Sequence, residues 1–175
     1  MVAKRKSDPM NTKTKNETTV ERASGTELVV TRAFNAEPQL VFDAWTQPEL
    51  VKRWFAPKSR GALVVSTEGD VRVGGGYRIV FSSPRAGTMA FSGKYLEVVV
   101  PSRLVHTEGF EPTANGVEGE PCVITVTFEA RGNKTFVTSR SKFPSKQVLD
   151  MVLATGMEDG MRESYDQLDD LVATL

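Results

Sequence analysis

At 175 residues the chain has the length of one ordinary domain, and 22 basic against 22 acidic residues leave no net field to gather nucleic acid or an anionic membrane surface. One cysteine, Cys122, excludes an intramolecular disulfide, and one histidine leaves no Cys/His set for zinc or any other metal. No apolar run approaches the roughly 18 to 20 residues of a membrane-spanning helix and no apolar leader is present, so the expected compartment is the reducing cytoplasm, where the sequons at Asn16 and Asn133 are chance.

Residues 1–25 carry Lys4, Arg5, Lys6, Lys13, Lys15 and Arg22 with almost nothing apolar, and are expected to be a disordered basic tail. Asp8, Glu17 and Glu21 dilute its charge, which favours a solvated extension over a nucleic-acid or membrane arm. A folded domain over 26–175 follows, its first strand at Leu28 to Phe34. Residues 42–55 then place Phe42, Trp45, Trp54 and Phe55 in two short helical segments divided by Thr46-Gln47-Pro48-Glu49. Pro38 opens the first segment and Pro48 lies in the first turn of the second, with Thr46 and Glu49 at capping-box spacing and Pro57 closing the corner.

Strand-like segments follow at about 62–68, 76–82, 88–99, 103–109, 121–129 and 134–142, at spacings that favour antiparallel hairpins. Tyr77, Ile79 and Phe81, then Met89, Phe91 and Tyr95, then Ile124, Val126 and Phe128 form one apolar face that needs a cover. A single helix over 145–175, capped by Ser145, supplies it with Met157, Met161, Tyr165, Leu168 and Leu171 or Val172, leaving Glu158, Asp159, Glu163, Asp166, Asp169 and Asp170 mainly on the wet side. Gly156 and Gly160 inside that helix call for a reason, and close packing is favoured over room for a ligand.

The run Gly74-Gly75-Gly76 matches neither phosphate-loop spacing and has no helix after it, so it reads as a tight hairpin, and no G-x-S-x-G elbow is present. The stretch Ala44 to Phe55, the turn Asp70 to Tyr77, the segment Gly93 to Leu104 and the terminal Gly156 to Leu168 together resemble the START/Bet v 1-like (SRPBCC) superfamily. Within it they are most similar to the branch named for activators of the 90-kDa heat-shock chaperone ATPase. Four separated motifs in order make the resemblance specific. It implies an α+β helix-grip fold: a seven-stranded antiparallel curved sheet around a long C-terminal helix, two short helices after the first strand, and a cavity between sheet and C-terminal helix. Members include carriers, receptors, cyclases and chaperone regulators, so the family alone does not fix a function.

Two departures from the family pattern are informative. His106 and Glu108 stand where relatives commonly carry aromatic rings, and being two apart on a strand they project from one face, by resemblance the cavity face. Ser139 and Ser141 replace bulkier residues in the same way. A lone His beside a Glu is more often a structural pair than a catalytic dyad, and Trp45, Trp54 and the methionines of the last helix are more often core than ligand contacts. The expected function is a non-catalytic binding protein, without a cofactor, that encloses a small, largely hydrophobic molecule oriented by His106, Glu108 and Tyr95. Trp54 from the corner, Tyr77, Phe81, Met89, Phe91 and Val126 from the sheet, and Met157 and Met161 from the helix would line its site. A module that binds the 90-kDa heat-shock chaperone ranks second, because the polar 25-residue tail is too short to supply the additional N-terminal domain of such activators. A cyclase- or hydrolase-like enzyme using His106 and Glu108 as acid and base ranks third.

Overall fold

The chain enters its sheet earlier than composition suggests. The structure is a computed structural model that describes residues 16–111 and 120–175, and in it Thr19–Arg22 forms a strand, β1, paired antiparallel with β2, Glu27–Phe34. Residues 16–25 are therefore not part of a solvated tail. Val20 packs against the core, and Arg162 donates to the Thr18 carbonyl. Two β-branched residues beside an open strand outweigh the local polarity. The rest of the expected tail, residues 1–15, lies outside the described residues.

Six further strands follow: β3 Leu63–Gly69, β4 Gly76–Ser83, β5 Gly87–Val99, β6 Arg103–Glu111, β7 Cys122–Arg131 and β8 Lys134–Lys142. They join one curved antiparallel sheet in the order β1-β2-β8-β7-β6-β5-β4-β3, of eight strands where seven were expected, the additional one being β1. The triple glycine is the expected tight link between β3 and β4. A Cβ on Gly75 would lie 2.0 Å from the Asp70 carbonyl oxygen, so the turn closes only around glycine.

Pro38–Thr46 forms α1 and Pro48–Trp54 forms α2, each with proline in its first turn. The cap of α2 is Gln47 rather than Thr46. The residue before a proline is held in extended backbone, as Gln47 is at φ −76° and ψ 122°, so the helix begins one position later than the capping-box spacing suggests. The Thr46 hydroxyl turns back to the Phe42 carbonyl at 2.8 Å.

The single C-terminal helix is instead two: α3, Lys146–Ala154, capped by the Ser145 hydroxyl, and α4, Met157–Val172. Gly156 between them has φ +74°, the left-handed conformation that ends a helix and that glycine adopts without strain. Gly160 does sit inside α4, where a Cβ would meet Pro57 Cγ at an ordinary 3.6 Å, so the packing there does not require glycine. The helix-grip contact is made by α4, whose Tyr165, Leu168, Leu171 and Val172 join Phe34, Val41, Phe42, Trp54, Leu104, Val126 and Phe128 in the main core.

Not every acidic residue of α4 is wet. Asp169 is 7% exposed and meets Arg32 Nη2 at 3.1 Å, while Asp166 meets Arg32 Nη1 at 2.6 Å. Arg32 shares the inward face of β2 with Leu28, Val30 and Phe34, and Thr18 Oγ1 also accepts from it. The cluster ties β1, β2 and α4 together. Removing one member of a buried pair leaves the other without its counter-charge, a loss of about 3 to 5 kcal/mol. Arg32→Met should therefore lower stability to urea by about that amount, and Arg32→Met combined with Asp169→Leu should recover most of it. A change below about 1 kcal/mol in the single variant would show that the cluster does not hold the layers together.

Candidate functional site

The site begins with a glycine in the middle of the sheet. Tyr77 on β4 pairs with Gly93 on β5, and Tyr95 pairs with His106 on β6. A Cβ on Gly93 would lie 1.8 Å from the Thr107 carbonyl oxygen and 2.8 Å from Tyr77 Cε1. With that space empty, the Tyr77 ring crosses β5 and its hydroxyl comes within 3.1 Å of His106 Nδ1, of the Thr107 carbonyl and of Glu108 Oε2. Lys94 N donates to the Thr107 hydroxyl oxygen at 3.0 Å, so the Thr107 carbonyl remains available to Tyr77 and, at 3.3 Å, to His106 Nδ1. The glycine turn fixes Tyr95 from below, through Gly74 N to Tyr95 O at 2.8 Å and Tyr95 N to Gly75 O at 2.9 Å.

A cavity of about 70 Å³ opens beside this network. Its walls come from the α1–α2 corner, from Thr67 to Gly69 of β3, and from Tyr77, Ile79, Tyr95, Leu104, His106 and Glu108. It therefore lies under the helical corner and not between the sheet and the C-terminal helix, because Tyr165 and its neighbours fill that second space. Trp45 packs against Trp54 at 5.3 Å, Tyr165 at 5.4 Å and Phe128 at 5.7 Å between ring centres. The end of α2 is held by α4: Gln167 Nε2 donates to the carbonyls of Trp54 and Ala56, and Ser164 Oγ to that of Phe55. These donors satisfy carbonyls that a helix end leaves open.

The structure brings Trp54, Tyr77, Tyr95, His106 and Glu108 together around this cavity. Phe81 and Phe91 stack on each other at 5.3 Å and reach the cavity only through Phe55, which lines it and meets them edge-on. Met89 pairs with Phe81 on the neighbouring strand, Val126 is fully buried core, and Met161 packs against that core. Met157 opens α4, away from the cavity walls. Ser139 is buried where its side chain meets the Tyr165 hydroxyl, so the expected serine lining belongs to the core. Trp45, Phe55, Thr67, Glu68 and Leu104 also line the cavity and escaped sequence reasoning. The corner aromatics were visible, but their side of the sheet depends on tertiary packing.

Burial governs the titration of the site. It pushes Glu108 up to about 7, against a smaller opposing effect of the hydrogen bond from Tyr77. The same desolvation lowers His106, keeping it neutral at neutral pH, and raises Tyr95 and Cys122 each to about 12. Burial and the neighbouring Glu108 carboxyl raise Tyr77 well above the usual phenol range. The site thus holds one carboxyl that changes charge near neutrality, beside an uncharged imidazole and phenols that keep their protons. Such a pair can donate and accept hydrogen bonds and can exchange a proton with a bound group. Among the described residues no cluster of metal-ligating side chains is present.

A family model described as Activator of Hsp90 ATPase homolog 1-like protein matches residues 35–173. The chain belongs to that family. Among solved structures, a protein of Rhodobacter sphaeroides superposes with a TM-score of 0.81 at 25% identity, over 91% of this chain and 100% of its own. One from Staphylococcus epidermidis reaches 0.74 at 28% identity, over 89% and 94%. An AHSA1-like protein of Aeromonas hydrophila shares the fold with a TM-score of 0.58 at 19% identity, over 83% and 92%. No curated protein matches the chain. The family and its structural neighbours agree with the helix-grip architecture of the SRPBCC superfamily, and among the described residues no helix is long and apolar enough to cross a membrane.

Two expected outcomes follow from the network. Glu108 keeps its proton in the folded chain between its ordinary value and about 7, while the unfolded chain has already lost it, so stability falls as pH rises through that window and the loss is complete above it. At about 1.4 kcal/mol per pH unit, Glu108→Gln should remove an alkaline loss of about 2 to 3 kcal/mol and leave the acid-side loss due to His106, as read by urea denaturation between about pH 5 and 8. Parallel pH profiles for variant and parent would refute the assignment. Gly93→Ala, whose methyl would meet backbone, should cost at least about 2 kcal/mol and displace Tyr77, which near-ultraviolet circular dichroism would register.

Proposed function

We propose that the protein binds a small molecule, without chemical change to it, in the cavity beneath the α1–α2 corner. The supporting observation is the Tyr77–His106–Glu108 network, a set of polar groups drawn together from two strands at one end of a mostly apolar cavity. A mostly apolar pocket with a few convergent polar groups, one of them with a displaced pKa, is the usual form of a ligand site. Membership of a superfamily whose fold commonly encloses hydrophobic ligands agrees with this reading.

The volume limits the ligand. At about 70 Å³ the cavity is well below the roughly 300 Å³ at which ordinary ligand pockets begin, which counts against full enclosure of the small, largely hydrophobic molecule expected from sequence. The site takes a polar head group with a short apolar body, or the head of a longer molecule that protrudes past β3. A second reading has one observation in its favour: a carboxyl near 7 beside a neutral imidazole suits general acid-base catalysis.

Native mass spectrometry of freshly purified protein, set against its denatured mass, should reveal a bound compound lost on denaturation. In a thermal-shift panel of small compounds, a true ligand at 100 times its Kd should add about 2.7 kcal/mol of stability. An apo mass together with no stabilising compound would overturn the binding reading. Consumption of the bound compound by the parent and not by Glu108→Gln would replace it with the enzymatic one.

A further inference from the structure

The chemical class of the ligand can be read from the hydrogen-bonding groups and charges that face the cavity. Five of the lining residues are aromatic: Trp45, Trp54, Phe55, Tyr77 and Tyr95. The ionisable ones are Glu68 at the exposed rim of β3, Tyr77 on β4, Tyr95 on β5, and His106 and Glu108 on β6, with no lysine or arginine among them. Cys122, opposite Glu108 on β7, is a neutral thiol held up at about 12. The cavity is therefore electron-rich on its aromatic walls and acidic at its polar end, with no counter-charge of its own.

Donors and acceptors are unevenly distributed there. The side-chain donors of Trp54, Thr46 and Thr67 are engaged by the carbonyls of Ala44, Phe42 and Pro48, each at 2.8 Å. Tyr77 has one hydroxyl hydrogen for three acceptors. With Glu108 ionised, that hydrogen goes to the carboxylate, the strongest of the three. Nδ1 of His106 then carries its hydrogen toward the Thr107 carbonyl and the Tyr77 oxygen, because a carbonyl only accepts. Nε2 is left as an acceptor on a ring that is 8% exposed, lines the cavity and has no protein partner for that atom among the described residues. Against Nε2 and the free lone pairs of Glu108, the remaining side-chain donors are the Trp45 indole and the Tyr95 hydroxyl, and the latter also accepts.

We propose that the cavity binds a small organic cation, a protonated primary or secondary amine whose N–H groups are accepted by Glu108 and His106 Nε2 while its carbon skeleton lies against Trp54 and Tyr95. This deepens the binding reading above and rests on it. An ammonium group supplies the donors and the positive charge that the site lacks, and aromatic faces attract cations most when water is excluded. An anionic ligand such as a fatty acid would meet two carboxylates and no cation. The cavity volume suits an ammonium group with a short chain. Because the cation favours ionised Glu108, its binding strengthens as pH rises through about 7, where burial keeps His106 neutral.

His106 is the only histidine of the chain, so its ring resonances report the site without assignment ambiguity. The full chain would be titrated at pH 8 with n-butylammonium, n-butanol and butyrate, probes of similar size and different charge, following those resonances by NMR. Butylammonium should bind at least about tenfold more tightly than butanol, with butyrate weakest, and should set Nε2 as the unprotonated nitrogen of the ring. Its affinity should fall about tenfold in Glu108→Gln while that of butanol is retained, and should weaken from pH 8 to pH 6. Equal or tighter binding of butanol or butyrate would overturn the cation proposal and leave the binding reading standing. Silence from all three probes would overturn the cation proposal, and together with an apo mass in native mass spectrometry it would overturn the binding reading as well.

Discussion

Tyr77 reaches acceptors on β6, two strands away, because Gly93 on the intervening β5 has no side chain: a methyl there would collide both with the Tyr77 ring and with the Thr107 carbonyl. That absence has three effects. It lets a phenol lie across the sheet, it leaves the Thr107 carbonyl available to Tyr77 and His106 Nδ1, and it sets the Tyr77 hydroxyl at 3.1 Å from both His106 and Glu108. A buried imidazole and a buried carboxyl placed side by side without such a bridge would each carry a desolvation penalty with little return. The bridge fixes both, and the cavity beside them takes its polar end from that arrangement.

The opposite wall is set by ring packing. Trp45 touches Trp54, Phe128 and Tyr165, and Phe34 touches Tyr165, so one run of edge-to-face contacts passes from β2 through α4 to the corner and on to β7. Ser164 and Gln167 of α4 secure the end of α2 from the same side. On the other side the corner is tied to β3 through the Thr67 hydroxyl to the Pro48 carbonyl. A second apolar cluster of Val51, Ala56, Ala62, Val64 and Ile79 packs that side, so the cavity lies between two packed faces. A route between sheet and α4 would have to break the aromatic core.

Much of the scaffold was legible in the sequence. Strand limits from β3 to β8 follow from period-two alternation and turn residues, the two prolines place α1 and α2, and the departure at His106 and Glu108 falls at the polar end of the cavity. What escaped was long-range. Val20 gains its place in β1 only from an open edge on β2, which no local composition reveals. Asp169 reads as a wet residue until Arg32, more than a hundred positions away, is known to face it. Gly156 shows its cost in a helix but not that the chain turns left-handed there. The cavity was placed under the wrong helix because Tyr165 and Met161 obey the same spacing whether they pack on a ligand or on Trp45, Phe34 and their neighbours.

Among the described residues two ionisable groupings are wholly or largely buried, and they differ in kind. Around Arg32 the charge has its counter-ions: one guanidinium faces two carboxylates and a hydroxyl, only its Nε lacks a partner among the described residues, and the group serves to join β1, β2 and α4. Around Glu108 the cavity walls supply none. A carboxyl is held where burial opposes its ionisation, its nearest neighbours are neutral, and every strand that faces it brings a phenol, a thiol, an imidazole or another acid. For stability above about pH 7 an apolar residue in that position would serve better, since the carboxylate has a phenol donor but no counter-charge to offset its desolvation. Local rules are broken in this way chiefly where a site needs them broken. A grouping closed by its own counter-ions is architecture; for one left open beside a cavity, our proposal is that a ligand supplies the missing positive charge.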